Sequence, residues 1–255
     1  QRRLFVTLVR PTLWYDTCMK NQYFGDINDY KKYGLLRILS DGGRFKIAVC
    51  WMLAAADNRG EGKLTRYITQ PGKWRAFDQE LFDSLKRCLR HPSNRNVRWA
   101  KDEDLIPSAL FYDEELADDA GRRREYFRRF LSAAGGCELV FFDPDNGLEV
   151  PTIPFGSRES RKYVYQEEVR SSFAAGHSLL LYQHFRRMKR EKFIKGQMAS
   201  LCEWTGVSRT ISFRTSYVAF LLVPQLHHFG YLERQIRLVE ERWQPHIQVV
   251  HHQCL

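Results

Sequence analysis

The stretch Glu138-Leu139-Val140-Phe141-Phe142-Asp143-Pro144-Asp145-Asn146-Gly147-Leu148-Glu149 constrains the fold of this 255-residue chain more than any other. Its apolar run is continuous rather than alternating, the pattern of a strand buried on both faces inside a parallel sheet. Pro144 removes a backbone donor and pushes Asp143 towards an extended conformation, so the strand stops there. Asn146-Gly147 then signals a turn. Asp143 therefore stands at the carboxyl end of a buried strand, where open α/β sheets place their ligand crevices. With Asp145 and Glu149 it brings three carboxylates into seven residues. Such a set can bind a metal, accept protons or hold a polar substrate; the plain alternative is a solvated acidic turn.

Two more runs read as buried strands, Phe45-Lys46-Ile47-Ala48-Val49-Cys50-Trp51-Met52-Leu53 and Ser178-Leu179-Leu180-Leu181-Tyr182-Gln183-His184. The second carries Gln183 and His184 at its carboxyl end, near Asp143 if the two strands are neighbours. Two further runs, from Arg209 and from Tyr217, are separated only by Thr215-Ser216 and must pair as an antiparallel hairpin. Asn96-Val97-Arg98-Trp99 and Ala109-Leu110-Phe111-Tyr112 read as short extended pieces. Helical periodicity marks residues 30–38, 78–89, 122–133, 166–175 and 231–243. The first is capped by Asn28 or Asp29, and its Asp29 and Lys32 share one helix face. In the third, Tyr126, Phe127, Phe130 and Leu131 point inward and the arginines outward. A basic helix with Arg186, Arg187, Lys189, Arg190, Lys192 and Lys195 follows His184, with Met198, Leu201 and Trp204 as its apolar side.

Lys and Arg outnumber Asp and Glu by 40 to 30, for a net charge of +10, which favours nucleic acid as the partner ahead of acidic membrane surface. No apolar run approaches the roughly 20 residues of a membrane span. The six cysteines are scattered with no Cys-x-x-Cys pair, so a reducing, cytoplasmic setting is expected, without a disulfide framework or zinc site. Residues 1–18, ahead of Met19, read as an extension of doubtful function, and residues 19–255 as one α/β domain.

The element order resembles the Rossmann-like, methyltransferase-type fold over residues 45–223: a mostly parallel sheet with flanking helices and a terminal antiparallel hairpin. Asp143-Pro144-Asp145-Asn146 lies where amino-methyltransferases carry Asp-Pro-Pro and an aromatic. Asp143 and Pro144 match, but Asp145 and Asn146 replace the second proline and the aromatic. The glycine loop for S-adenosylmethionine is also missing: Ala54-Ala55-Ala56-Asp57-Asn58-Arg59-Gly60 follows the first strand instead. Three blocks resemble an uncharacterised bacterial and phage protein family, distantly similar to the three-Cys-motif partner proteins. They are Asn21-Gln22-Tyr23-Phe24-Gly25-Asp26 with Asp29-Tyr30-Lys32-Tyr33-Gly34, then residues 142–149, then Tyr182-Gln183-His184.

Three functions follow as expectations. The resemblance implies a transferase acting on nucleic acid, with Asp143 holding the acceptor group and Asp26, Asp29 and Lys32 lining the pocket. Asp145 and His184 complete its candidate catalytic set, Asp143, Asn146 and Trp51 would contact S-adenosylmethionine, and Arg186, Arg187, Lys189, Arg190 and Lys192 would track phosphates. A metal-dependent nuclease or phosphoesterase would use Asp143, Asp145 and Glu149 as ligands for Mg²⁺ or Mn²⁺. The third is a non-catalytic binding module on a degenerate transferase fold.

Overall fold

The structure, a computed structural model, describes residues 21, 24–53, 64–90 and 95–254. The expected extension over residues 1–18 and the segment 54–63 that replaces a glycine loop lie outside the described residues.

Nine strands are present among them: β1 Ile47–Cys50, β2 Leu110–Tyr112, β3 Leu139–Phe142, β4 Gly147–Leu148, β5 Tyr163–Val164, β6 Ser178–His184, β7 Arg209–Arg214, β8 Val218–Val223 and β9 Gln248–Gln253. The helices are α1 Ile27–Ser40, α2 Pro71–Trp74, α3 Gln79–Cys88, α4 Trp99–Asp102, α5 Ala120–Ala133, α6 Gln166–Ala174, α7 Arg190–Thr205 and α8 Phe229–Trp243. Seven strands form one sheet in the order β2-β1-β3-β6-β8-β7-β9, while β4 and β5 make a separate parallel pair. The pairings β2-β1, β1-β3 and β3-β6 are parallel, and β6-β8, β8-β7 and β7-β9 are antiparallel. Five strands thus run one way and only β8 and β9 oppose them. From β1 the chain passes outward to β2, whereas from β3 it passes the other way to β6. The connections therefore diverge between β1 and β3, the two strands that lead into Trp51 and Asp143.

Every residue of β1 and β3 is buried, as a continuous apolar run requires when helices cover both faces. Alternate residues serve opposite cores. Val49, Trp51, Phe141, Leu180 and Tyr182 pack with Tyr30, Tyr33 and Leu36 of α1, with Phe82 of α3 and with Trp243 of α8. Ala48, Cys50, Val140, Phe142 and Leu181 pack against Tyr126 and Phe130 of α5, Val169 of α6 and Phe193 and Met198 of α7. Each such large apolar side chain contributes about 1.5–3 kcal/mol on burial. Helices α1 and α8 approach closely at Gly34, where an added Cβ would lie 2.0 Å from the Trp243 ring. Only glycine fits there.

The hairpin expected after Arg209 is β7–β8, in register Phe213↔Phe220. Other expectations needed correction. Residues 96–99 do not form a strand; Trp99 opens the short helix α4. The chain does not close on α8, because β9 follows and pairs along β7. Half of its residues are exposed and the other half are half-buried, an edge strand with a weaker signal than the core runs. Not all arginines of α5 face outward: Arg123 is fully buried, paired with Glu168 and donating to the Ser160 carbonyl at 2.9 Å. Cys202 and Cys254 are joined by a disulfide across 52 residues, against the expectation that no cysteines pair. Sequence spacing cannot show this, because β9 is what carries Cys254 back beside α7. No helix among the described residues is long and apolar enough to cross a membrane.

Candidate functional site at the ends of the central strands

Helix α1 begins at the carboxyl end of the sheet because Asp26 caps it there. The Asp26 side chain accepts from the Asn28 and Asp29 amides at 2.7 and 2.9 Å, satisfying two of the orphan donors of a helix start. Asp26 is the cap, in place of the expected Asn28 or Asp29. One turn later Lys32 points at the sheet. Its Nζ lies 2.7 Å from Asp29 Oδ1 and 3.1 Å from Asp143 Oδ2. Asp29 in turn accepts the Gly25 amide at 2.8 Å, and the Gly25 carbonyl accepts the Tyr67 hydroxyl at 3.1 Å. Asp26, Asp29, Lys32 and Asp143 are all buried.

Aromatic rings enclose this charge cluster. Lys32 Nζ lies 5.1 Å from the centre of the Tyr33 ring and 5.9 Å from that of Tyr182. One residue beyond the last paired positions, Cys50↔Phe142 and Phe142↔Leu181, the row across three strands reads Trp51, Asp143, Tyr182. The Asp143 amide continues the ladder by donating to the Cys50 carbonyl at 3.0 Å. Trp51 is fully buried against Phe111, and among the described residues neither its Nε1 nor the Tyr33 hydroxyl has an acceptor. Two buried donors without acceptors beside a charge cluster are costly, about 1–3 kcal/mol each.

Burial, then the neighbouring Asp29 carboxylate, raises the Asp26 carboxyl to about 6. Burial alone would discharge Lys32, but the Asp143 and Asp29 carboxylates outweigh it and hold the ammonium well above its ordinary value. Burial also pushes the Tyr33 and Tyr182 phenols far up. Lys32 is therefore a fixed cation, and Asp26 is the group that titrates near neutrality.

The loop after Asp143 is clamped from β6. Gln183 Oε1 accepts the Leu148 amide at 2.9 Å, and its Nε2 donates to the Asn146 carbonyl at 3.0 Å. The His184 amide reaches the same carbonyl at 3.2 Å. Gly147 has φ +120°, and an added Cβ would lie 2.2 Å from the Gln183 amide. The expected Asn146-Gly147 turn is instead a bend at residues 145–146 that runs straight into β4, and Gly147 at its start leaves no room for a side chain.

The three sequence blocks meet here: α1 through Lys32, the acidic loop through Asp143, and the β6 end through Tyr182 and Gln183. Sequence reasoning missed the roles of Gln183, Tyr33 and Tyr182. The available signal was a glutamine at a strand end opposite an Asn-Gly pair. Asp145 and Asn146 are half-buried in the loop, and the His184 side chain is exposed, its ring edge-on to Tyr182 at 5.1 Å. Glu149 leaves the site, since its Oε2 accepts the Gln166 amide at the start of α6 at 3.2 Å. Among the described residues no three His, Cys, Asp or Glu side chains gather as a metal site. Helix α7 starts only at Arg190, so Arg186, Arg187 and Lys189 lie on the connection from β6, and Lys192 is in the first turn; all are exposed.

No protein-family model matches the chain, and no curated protein does. Among solved structures, the chain is similar to the crystal structure of protein LPL1258 from Legionella pneumophila str. Philadelphia 1, family-model DUF519. The two are 8% identical, with a TM-score of 0.45 over 91% of this chain and 98% of that one. A likeness so distant transfers no chemistry.

Proposed function

We propose that this chain is a methyltransferase-type transferase on a Rossmann-like sheet, acting on nucleic acid. One observation carries the reading: Asp143 is a buried carboxylate at the carboxyl end of β3, beside the point where the connections diverge, and Lys32 holds it in place. Open α/β sheets bind ligands at such divergence points.

The donor set fits a cationic or amino-bearing group. Asp26, Asp29 and Asp143 gather three carboxylates around the Lys32 ammonium, with Arg95 also acting on Asp26 and Asp29, and Trp51 lies next to Asp143 on β1 with a buried N–H that has no acceptor among the described residues. S-adenosylmethionine, when bound, supplies a methyl group from a sulfonium cation. Trp51, Asn146 and Asp143 would line its site. Asp143 would accept a hydrogen bond from the amino or hydroxyl group to be modified, orient it and stabilise charge developing on it. Lys32 pairs with Asp143 and fixes its position, and Asp26 is poised to take up a proton near pH 6. The residues do not fit Mg²⁺ or Mn²⁺. An ammonium fills the position a cation would take beside Asp143, and Glu149 serves α6.

Isothermal calorimetry with S-adenosylmethionine, followed by labelled-methyl transfer to RNA and DNA, tests the reading. Binding is expected, and Asp143→Asn should lower transfer roughly 10²- to 10⁴-fold. No heat at millimolar ligand sinks the transferase reading. The engagement of Asp143 by Lys32 favours one second reading, a binding module in which the ion pair docks α1 on the sheet. That reading predicts nucleic-acid binding without transfer, unaffected by Asp143→Asn.

A further inference from the structure

The surface beside the site gathers exposed positive charge along one short segment. Several exposed arginines elsewhere find carboxylates, Arg75 with Asp83 at 2.7 Å, Arg87 with Glu103 at 2.9 Å, Arg128 with Glu125 and Arg129 with Glu114, both at 2.7 Å, while others such as Arg158, Arg170 and Arg237 stand singly among the described residues. Among the described residues, Arg186, Arg187, Lys189 and Lys192 have no such partner. Arg190 is spent on positioning: its guanidinium lies over the Phe185 ring at 4.8 Å and donates to the Ser216 carbonyl at 2.9 Å. That bond ties the basic connection to the β7–β8 turn, which presents Tyr217 at 52% exposure. Met188, 45% exposed, lies between the basic residues. Large apolar side chains this exposed are few in the molecule, and two of them fall in this patch. The patch adjoins the clamped loop through the His184 amide and the Asn146 carbonyl.

We propose that residues 184–192 and the 215–217 turn form a binding surface for single-stranded nucleic acid. Tyr217 stacks on an unpaired base, and Arg186, Arg187, Lys189 and Lys192 contact the flanking phosphates. Four exposed cations besides Arg190 within residues 186–192 favour a polyanion, and an exposed ring on a tight turn beside them offers a stacking face that a duplex cannot use, because its bases are already stacked. The approach of the strand to Asp143 rests on the transferase reading; binding at Tyr217 does not.

Fluorescence anisotropy on the full chain is the test, with labelled 12-nucleotide RNA and DNA single strands, duplexes of the same sequence, and phosphatidylserine vesicles as the competing polyanion. Single strands should bind more tightly than duplexes. Tyr217→Ala should weaken binding roughly 5- to 150-fold while leaving its salt dependence unchanged, and Tyr217→Phe should retain it. Arg186→Gln with Arg187→Gln should reduce the slope of log affinity against log salt by about 0.7 per residue. Equal or tighter duplex binding, an unaffected Tyr217→Ala, or binding to vesicles alone overturns the proposal. Tyr217-dependent strand binding without S-adenosylmethionine binding leaves it standing and removes the transferase reading. Methyl transfer indifferent to Tyr217 does the reverse.

Discussion

Replacing Lys32 with Met isolates the charge cluster. The change keeps most of the apolar stem and removes an ammonium held 2.7 and 3.1 Å from two carboxylates, whose side chains are only 11% and 6% exposed. Breaking one partner out of a buried pair costs about 3–5 kcal/mol, because the remaining charge is left in a poor solvent. A second route gives the same size. An uncompensated buried carboxylate can escape by taking a proton, and at pH 7, about three units above its ordinary pKa, that costs about 4 kcal/mol. Asp29 still has the Gly25 amide, so the loss should stay near the size of one such penalty rather than two. In the variant a buried carboxyl that has lost its counter-ion has its folded pKa raised above the unfolded value. Its contribution to stability is therefore full at low pH and lost as pH rises. The deficit against the native chain should be about 4 kcal/mol at pH 7 and shrink by about 1.4 kcal/mol per unit towards pH 5. Urea unfolding at both pH values measures it, with exposed Lys101→Met on α4 as a control expected within about 0.5 kcal/mol of native. A deficit below about 1 kcal/mol at pH 7, or one equal at the two pH values, would refute the account of Lys32 as the counter-ion of the cluster.

Gly147→Ala should cost at least about 2 kcal/mol in urea, because the new Cβ meets the Gln183 amide; Gln183→Ala in the same chain should recover part of that loss. Full additivity of the two changes would count against the clamp. Asp26 is raised from 3.8 to about 6, so its contribution is present below about pH 4 and is lost as pH rises through 6. Asp26→Asn keeps the cap acceptor and should flatten the stability profile over that window, gaining at most about 3 kcal/mol by pH 7; an unchanged slope argues against it. Arg123→Met should destabilise by about 3–5 kcal/mol although its neighbours Arg122 and Arg124 tolerate change, since only Arg123 is buried with its carboxylate; equal thermal shifts for the three would refute this. Without reductant, Cys202 and Cys254 should resist alkylation in the unfolded chain, and closing a 52-residue loop should stabilise the fold by about 4 kcal/mol.

Much of the frame was legible in the sequence. The continuous runs at β1, β3 and β6 announced strands covered on both faces, and the short gap after Arg214 left β7 and β8 no choice but a hairpin. What was not legible depends on separations that only the fold closes. The three-residue spacing of Asp29 and Lys32 predicts their contact, but nothing in it indicates that the ammonium also reaches Asp143, 111 residues away. Arg123 looks like its neighbours in a run of arginines, and only Glu168 on α6 makes its burial tolerable. Strand β9 was missed because an edge strand shows half its residues to solvent, which blurs the apolar signal. The basic helix was drawn one turn too early because charge carries no helical period.

The Gln183 clamp has a consequence for motion. The Leu148 amide and the Asn146 carbonyl bond to one side chain, and the His184 amide shares that carbonyl, so these groups cannot open one at a time. Hydrogen exchange at Leu148 and His184 should therefore proceed at matching rates, as a single opening of loop and strand end together. The loop that follows Asp143 then moves as part of the sheet, and any rearrangement that admits a ligand must come from the α1 side.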